Sequence, residues 1–154
     1  MRVSTTIRAA ADDDVEHIAH LETICFLDPW SRASISRILE TPSSAIWVAE
    51  QKPQGILGYA ITTSVSDEGE LERIGVAPAC RRTGVGRSLL RYALGQLVQA
   101  GVKVVWLEVR RSNESALRLY EREGFELLRV RKGYYAPRED ALIMRKLLVP
   151  EPAG

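Results

Sequence analysis

The chain has 154 residues, 45% hydrophobic and 27% charged, which is the size and balance of one ordinary globular domain with a buried core. No apolar run approaches the ~20 residues that cross a membrane. Met1–Thr6 lacks a signal peptide's apolar stretch and cleavage site, so a cytoplasmic location is expected. Formal net charge is +1, but residues 1–80 hold 6 Lys/Arg against 12 Asp/Glu and residues 81–154 hold 15 against 8. That asymmetry fits either one half facing an anion or segregated solvated faces, and without a basic arm or interleaved aromatics it gives no case for nucleic acid.

Ser4–Arg8 is short and β-rich. Asp12, Asp13 and Asp14 then supply N-cap and first-turn acids to a helix that carries Val15, Ile18, Leu21 and Cys25 on one face and ends near Phe26. Asp28–Ser31 reads as a turn, with Ser31 capping a second short helix through Leu39. Ala45–Gln51 and Gly55–Ser66 read as an antiparallel hairpin joined at Lys52–Gln54, and a strand from about Glu70 to Val76 follows a turn around Asp67 and Gly69. Val85, Leu89, Ala93 and Leu97, widened by Leu90 and Leu94, form the stripe of a helix that Gly101 closes. Val102–Val109 is a buried strand, Asn113–Glu123 a helix stopped by Gly124, and Phe125–Val130 and Ala141–Leu148 are closing strands. A frayed tail is expected at Pro150–Gly154, leaving one domain over residues 1–149. This order predicts an α/β domain with a mixed sheet. Cys25 and Cys80 have no metal-ligand spacing, so free thiols and no metal are expected.

The stretch Arg81-Arg82-Thr83-Gly84-Val85-Gly86-Arg87 follows a strand and opens the long helix. Glycines there allow close backbone approach, the first-turn N–H groups bind anions, and Arg82 and Arg87 add charge suited to a pyrophosphate. A P-loop is excluded because no lysine is present, and a dinucleotide fingerprint because Leu89 stands where a third glycine is needed. The same residues also fit a basic helix start without a ligand.

Arg81-x-x-Gly84-x-Gly86 resembles the signature by which GNAT acetyltransferases hold the pyrophosphate of coenzyme A, and Arg73–Pro78 looks like the strand that pairs with its pantetheine arm. The likeness continues through Leu107-Glu108-Val109-Arg110-x-Ser112-Asn113, Ala116-Leu117-x-Leu119-Tyr120-Glu121, Gly124-Phe125, and Tyr134-Tyr135 followed by Glu139-Asp140-Ala141. With Asp28-Pro29-Trp30-Ser31, the pattern is similar to the RimI-type ribosomal-protein alanine N-terminal acetyltransferases, from about Ile7 to Leu147. The resemblance implies a mostly antiparallel sheet of about seven strands with about four helices, and acetyl-CoA as cosubstrate. It places Ile74, Gly75, Val76, Arg81, Arg82, Thr83, Gly84, Val85, Gly86, Arg87 and Asn113 at the coenzyme. It also places Trp30, Tyr134 and Tyr135 at the acceptor, the tyrosines in a loop, with a protein N-terminus as partner.

An amine attacks a thioester only as the free base, yet an α-amine with a pKa near ~8 is mostly protonated at neutral pH. A nearby carboxylate accepts that proton, directly or through water. Glu108 is out of character in its apolar strand, so it is either paired with Arg110 or Arg129 or kept for such work; the resemblance makes it the base. It likewise makes Tyr120 the acid that protonates the departing thiolate, where a core tyrosine is the alternative. Asn113 caps its helix, binds coenzyme, or does both. A bulge near Val76 would aim a backbone N–H at the oxyanion. Glu22 and Asp28 offer negative charge to a cationic substrate. Lys132-Gly133 before the tyrosines departs from the family pattern. Acetylation of lysine or a small amine, and a CoA-binding module without turnover, are the competing readings.

Overall fold

The computed structural model describes residues 5–136 and 139–148; Ser4, the boundary at residue 149 and the tail Pro150–Gly154 lie outside them. Among the described residues the chain runs β1 (Thr6–Ala9), α1 (Val15–Cys25), α2 (Arg32–Glu40), β2 (Ser44–Gln51), β3 (Gly55–Val65), β4 (Glu68–Val76), α3 (Val85–Gln99), β5 (Val104–Arg110), α4 (Glu114–Arg122), β6 (Glu126–Ala136) and β7 (Glu139–Leu147). The aspartates ahead of α1 form a single 3-10 turn. Asp14 ends it by accepting the Ala11 N–H at 2.7 Å and pairing with Arg8 at 2.7 Å. Ser31 caps α2 as its sequence position predicts, its Oγ accepting the Ser34 N–H at 3.1 Å.

The strands form one sheet in the order β1-β2-β3-β4-β5-β7-β6, antiparallel throughout except between β4 and β5. The apolar stripes of α1 and α2 bury Ile18, Leu21 and Ile35 against Val48, Tyr59 and Ile61 on one face. On the other face, α3 presses Leu90, Leu94 and Leu97 onto Leu71, Val105 and Leu107. Each of these large side chains contributes roughly 1.5–3 kcal/mol when removed from water.

Among the described residues α1 and α2 pack mainly on β2, β3 and β4 rather than on β5. β4 begins two residues earlier than the sequence predicts, taking Gly69 into the strand; a Cβ there would stand 3.1 Å from Val102 Cγ1.

The parallel ladder is short. It runs from Glu68↔Val104 to Leu71↔Leu107 and stops. In the β3–β4 ladder Ile61 faces Arg73 and Thr62 faces Leu71, so Glu72 is an extra residue. A bulge of this kind bends its strand and increases the local twist. β4 then follows β3 to Val76 while β5 follows β7 to Arg110, and a gap opens between them. The bulge expected near Val76 is therefore at Glu72, and Val76 itself stays in register with Gly58.

Candidate active site

The turn between β4 and α3 ends at the head of this gap. Arg81 turns inward, its Nε donating to the Val76 carbonyl at 3.2 Å and its Nη2 lying 3.6 Å from Cys25 Sγ. Arg82 takes a left-handed φ of 66°, and the Thr83 hydroxyl donates to the Cys80 carbonyl. Gly84 follows at φ 92°, a conformation that glycine adopts without penalty. The space where its Cβ would stand is empty to 4 Å. Ser88 N–H bonds back to the Gly84 carbonyl at 3.0 Å, which leaves the N–H groups of Val85, Gly86 and Arg87 without intrahelical acceptors.

At Gly86 the helix closes on its neighbours, its Cβ position 3.5 Å from Val76 Cγ2 and 3.6 Å from Leu119 Cδ2. Arg87 differs from expectation, because its Nε donates to buried Glu123 at 2.8 Å, alongside Arg91 at 3.0 Å. Burial opposes charge on Glu123, but the Arg91 and Arg87 hydrogen bonds hold it below the usual carboxylate range. Among the described residues no carboxylate engages Arg82. Open space, free N–H groups and an unspent guanidinium together suit a pyrophosphate.

Below this turn, the Ala77 N–H donates to the Leu57 carbonyl at 2.8 Å, toward β3. Strand alternation therefore turns the N–H groups of Val76 and Ile74 into the gap. Gly75 sits over the buried ring of Tyr59, where a Cβ would meet Cε1 at 2.7 Å.

Glu108 is the first β5 residue beyond the last β4–β5 pair. It shares a face with Trp106 and Arg110, opposite the side packed by α3 and α4. A groove of about 310 Å³ runs along this face, with Thr63, Glu70, Trp106, Glu108 and Arg131 in its walls. Glu70, although exposed at the rim of this groove, is pushed up to about 7 by partial desolvation and then by the charge and hydrogen bond of Glu72 and the charge of Glu108. Neither Arg110 nor Arg129 pairs with Glu108. Its neighbour is the Tyr135 hydroxyl, whose pKa is pushed up by burial and by its hydrogen bond to the Glu108 carboxylate.

Tyr120 lies on the other face of β5, packed with Leu107 and Val109 and 5.8 Å from the Phe125 ring. Burial raises its pKa, so the phenol keeps its proton. Glu108 and Tyr120 thus lie on opposite faces of one strand. Asn113 caps α4, its Oδ1 accepting the Ala116 N–H at 3.3 Å.

The double tyrosine is at the end of β6 and not in a loop. Arg131 pairs with Ala141 and Ala136 with Glu139, so the four residues Lys132–Tyr135 stand opposite Asp140 alone. Gly133 makes the bend at φ 62°, donating its N–H to Asp140 Oδ1 at 3.0 Å. The bulge pushes out Tyr134, which is exposed and meets the Tyr135 ring edge-on at 5.1 Å.

Trp30 belongs to the α1–α2 connection, its backbone N–H donating to Glu22 Oε1 at 2.8 Å. Glu22 is fully buried and also accepts from Tyr59, so it is not available to a cationic substrate. Sequence reasoning missed the cation beside it, Arg73, whose signal was an acid on the buried face of α1 next to Leu21.

Comparison with known proteins agrees with this geometry. The family model described as "Acetyltransferase (GNAT) family" matches residues 15–125. The chain is 35% identical over 144 residues to the [ribosomal protein bS18]-alanine N-acetyltransferase of Escherichia coli K12, covering 90% of this chain and 95% of that one. The Haemophilus influenzae enzyme of the same name is 36% identical over 85% of this chain and 90% of its own. The crystal structure of the ribosomal-protein-S18-alanine N-acetyltransferase from Escherichia coli superposes with a TM-score of 0.87 at 33% identity, covering 98% of this chain and 99% of that one. The split sheet, the glycine turn at its head and these matches lead to one conclusion: the chain belongs to the GNAT family and is an acetyl-CoA-dependent N-acetyltransferase.

Proposed function

We propose that the acceptor is the N-terminal α-amine of a protein, specifically a ribosomal protein beginning with Ala, acetylated in the cytoplasm. The observation that carries this reading is the end-to-end likeness to the Escherichia coli bS18-alanine enzyme, 95% of whose length is matched.

In this mechanism the Arg82–Arg87 turn and the start of α3 hold the pyrophosphate, and the Val76 N–H holds the arm that lies in the gap. Glu108 takes the proton from the acceptor ammonium, directly or through water, and the free amine attacks the thioester carbonyl. At the end of the arm nearer Glu108, the Ile74 N–H turned into the gap donates to the oxyanion as the tetrahedral intermediate forms, while the Val76 N–H stays with the arm. Collapse of that intermediate breaks the C–S bond, Tyr120 gives its proton to the departing sulfur, and the second proton lost by the amine nitrogen passes to solvent, from which Tyr120 is reprotonated. Transfer is direct, so neither cysteine carries the acyl group. Trp30, Tyr134 and Tyr135 border the slot through which the acceptor tip reaches Glu108.

The test is mass spectrometry of acceptors incubated with acetyl-CoA: peptides with free Ala, Ser, Met or Gly termini, an N-blocked lysine peptide, and a polyamine. One acetyl group on the α-amine of the Ala peptide is the expected result. Acetylation of lysine or polyamine alone would refute the reading.

A further inference from the structure

We propose that Arg73 is the positioning residue of the acceptor slot, holding the Phe26–Ser31 connection in its working shape from the strand that lines the gap. Arg73 follows the Glu72 bulge, at the point where β4 leaves β5. Its side chain is only 11% exposed. A cation so placed needs partners, and all of them come from α1 or from the connection that follows it. Nε stands 3.4 Å from the carboxylate of buried Glu22. Nη2 donates to the Asp28 carbonyl at 2.8 Å, and Nη1 lies 3.7 Å from the Asp28 carboxylate. The guanidinium stacks on Phe26 at 4.1 Å and on Trp30 at 4.6 Å.

One side chain thus touches three of the six residues in the connection and the acid that fixes a fourth contact, the Trp30 N–H. The linkage also reaches the opposite wall. Asp28 lies 4.0 Å from Arg110, whose guanidinium covers the Tyr135 ring at 3.9 Å. Tyr135 in turn hydrogen-bonds to Glu108. Both walls of the slot are therefore referenced to Arg73, while the pyrophosphate turn is not. Removing the cation should loosen acceptor recognition and leave donor binding intact.

This proposal rests on the assignment of the slot to the acceptor, and its test is read on whichever amine the wild-type protein acetylates. If that amine is not an α-amine, the proposed function fails while the role of Arg73 is still measured. The test compares Arg73→Met, Arg73→Lys and the double variant Arg73→Met/Glu22→Gln with the wild type. The double variant removes both buried charges, so it folds even where the single one leaves Glu22 unpaired. The expected result for Arg73→Met and for the double variant is an acceptor KM raised on the order of 10-fold, since small misplacements of this kind are costly. Acetyl-CoA Kd and kcat at saturating acceptor stay within about 2-fold, because a positioning residue alters uniform acceptor binding. Arg73→Lys keeps the charge without the planar stacking and should fall between. Hydrogen exchange should rise in residues 26–31 and not in β3. An unchanged acceptor KM in the double variant would overturn the proposal, as would an equal loss of acetyl-CoA affinity, which would mark Arg73 as general core structure.

Discussion

Gly84 offers a way to separate the cost of a backbone conformation from the cost of losing a ligand. Its φ of 92° is unfavourable for any L-residue, but the position of an added Cβ meets no heavy atom within 4 Å. Gly84→Ala therefore adds no clash to the protein alone. The left-handed conformation costs about 1–2 kcal/mol, and the stiffer unfolded chain returns about 0.4–1 kcal/mol. The net destabilisation is about 1 kcal/mol, a fall of about 2–4 °C in Tm for a domain of this size.

Acetyl-CoA at 100 times its Kd should stabilise the wild type by about 2.7 kcal/mol. If a pyrophosphate occupies the open space at Gly84, the new methyl displaces it. Each tenfold loss of affinity then removes about 1.4 kcal/mol of that stabilisation. Chemical denaturation of both proteins, with and without acetyl-CoA, measures the two effects, and titration calorimetry supplies the affinities. A variant about 1 kcal/mol less stable alone but with full acetyl-CoA stabilisation would refute the phosphate-turn assignment.

Glu108→Gln should lower kcat by about 10²-fold or more while leaving acetyl-CoA affinity unchanged; a normal rate in steady-state assays would remove Glu108 as the base. Glu70 should give a pH signature of its own. Its folded pKa of about 7 lies above the ordinary 4.5. The folded state therefore holds a proton that the unfolded state has released, and stability falls as pH rises through that interval. Glu70→Gln should remove this slope and be more stable than wild type at pH 8 by about 0.5–1 kcal/mol, solvent screening included. The two should converge near pH 4, and parallel curves in urea melts across that range would contradict the assignment.

Where one stretch of sequence carries both pattern and boundary, the fold could be read directly. The 3.6-residue stripe from Val85 to Leu97, the Ser31 cap and the Gly101 stop are local signals with local consequences, and each element lies where its residues predict. The turn ahead of α3 was legible for the same reason: Gly84 takes its left-handed conformation within one turn of the helix it opens. Features set by strand register were not legible. The bulge was expected near Val76 but lies at Glu72, because only the pairing with Ile61 and Thr62 decides which residue is extra. The double tyrosine was placed in a loop by the resemblance, whereas Asp140 from the next strand captures the Gly133 N–H and β6 runs on to Ala136. Arg87 was read as a free cation because its partner, Glu123, lies 36 positions along the chain. Long-range pairing of charges leaves no trace in local spacing.

The parting of β4 from β5 also bears on strand-to-strand association between molecules. Unpaired strand edges normally recruit strands from other molecules, and proteins guard them with charge, proline or a covering loop. Here two such edges are turned toward each other inside a single sheet, beside a packed core. A foreign β-strand brings side chains on both faces and cannot enter between them. A slender, flexible chain bearing amides can lie along the same edge. Hiding the edge in the interior makes thickness the criterion for admission, so the feature that most invites aggregation in other sheets is kept here from other strands.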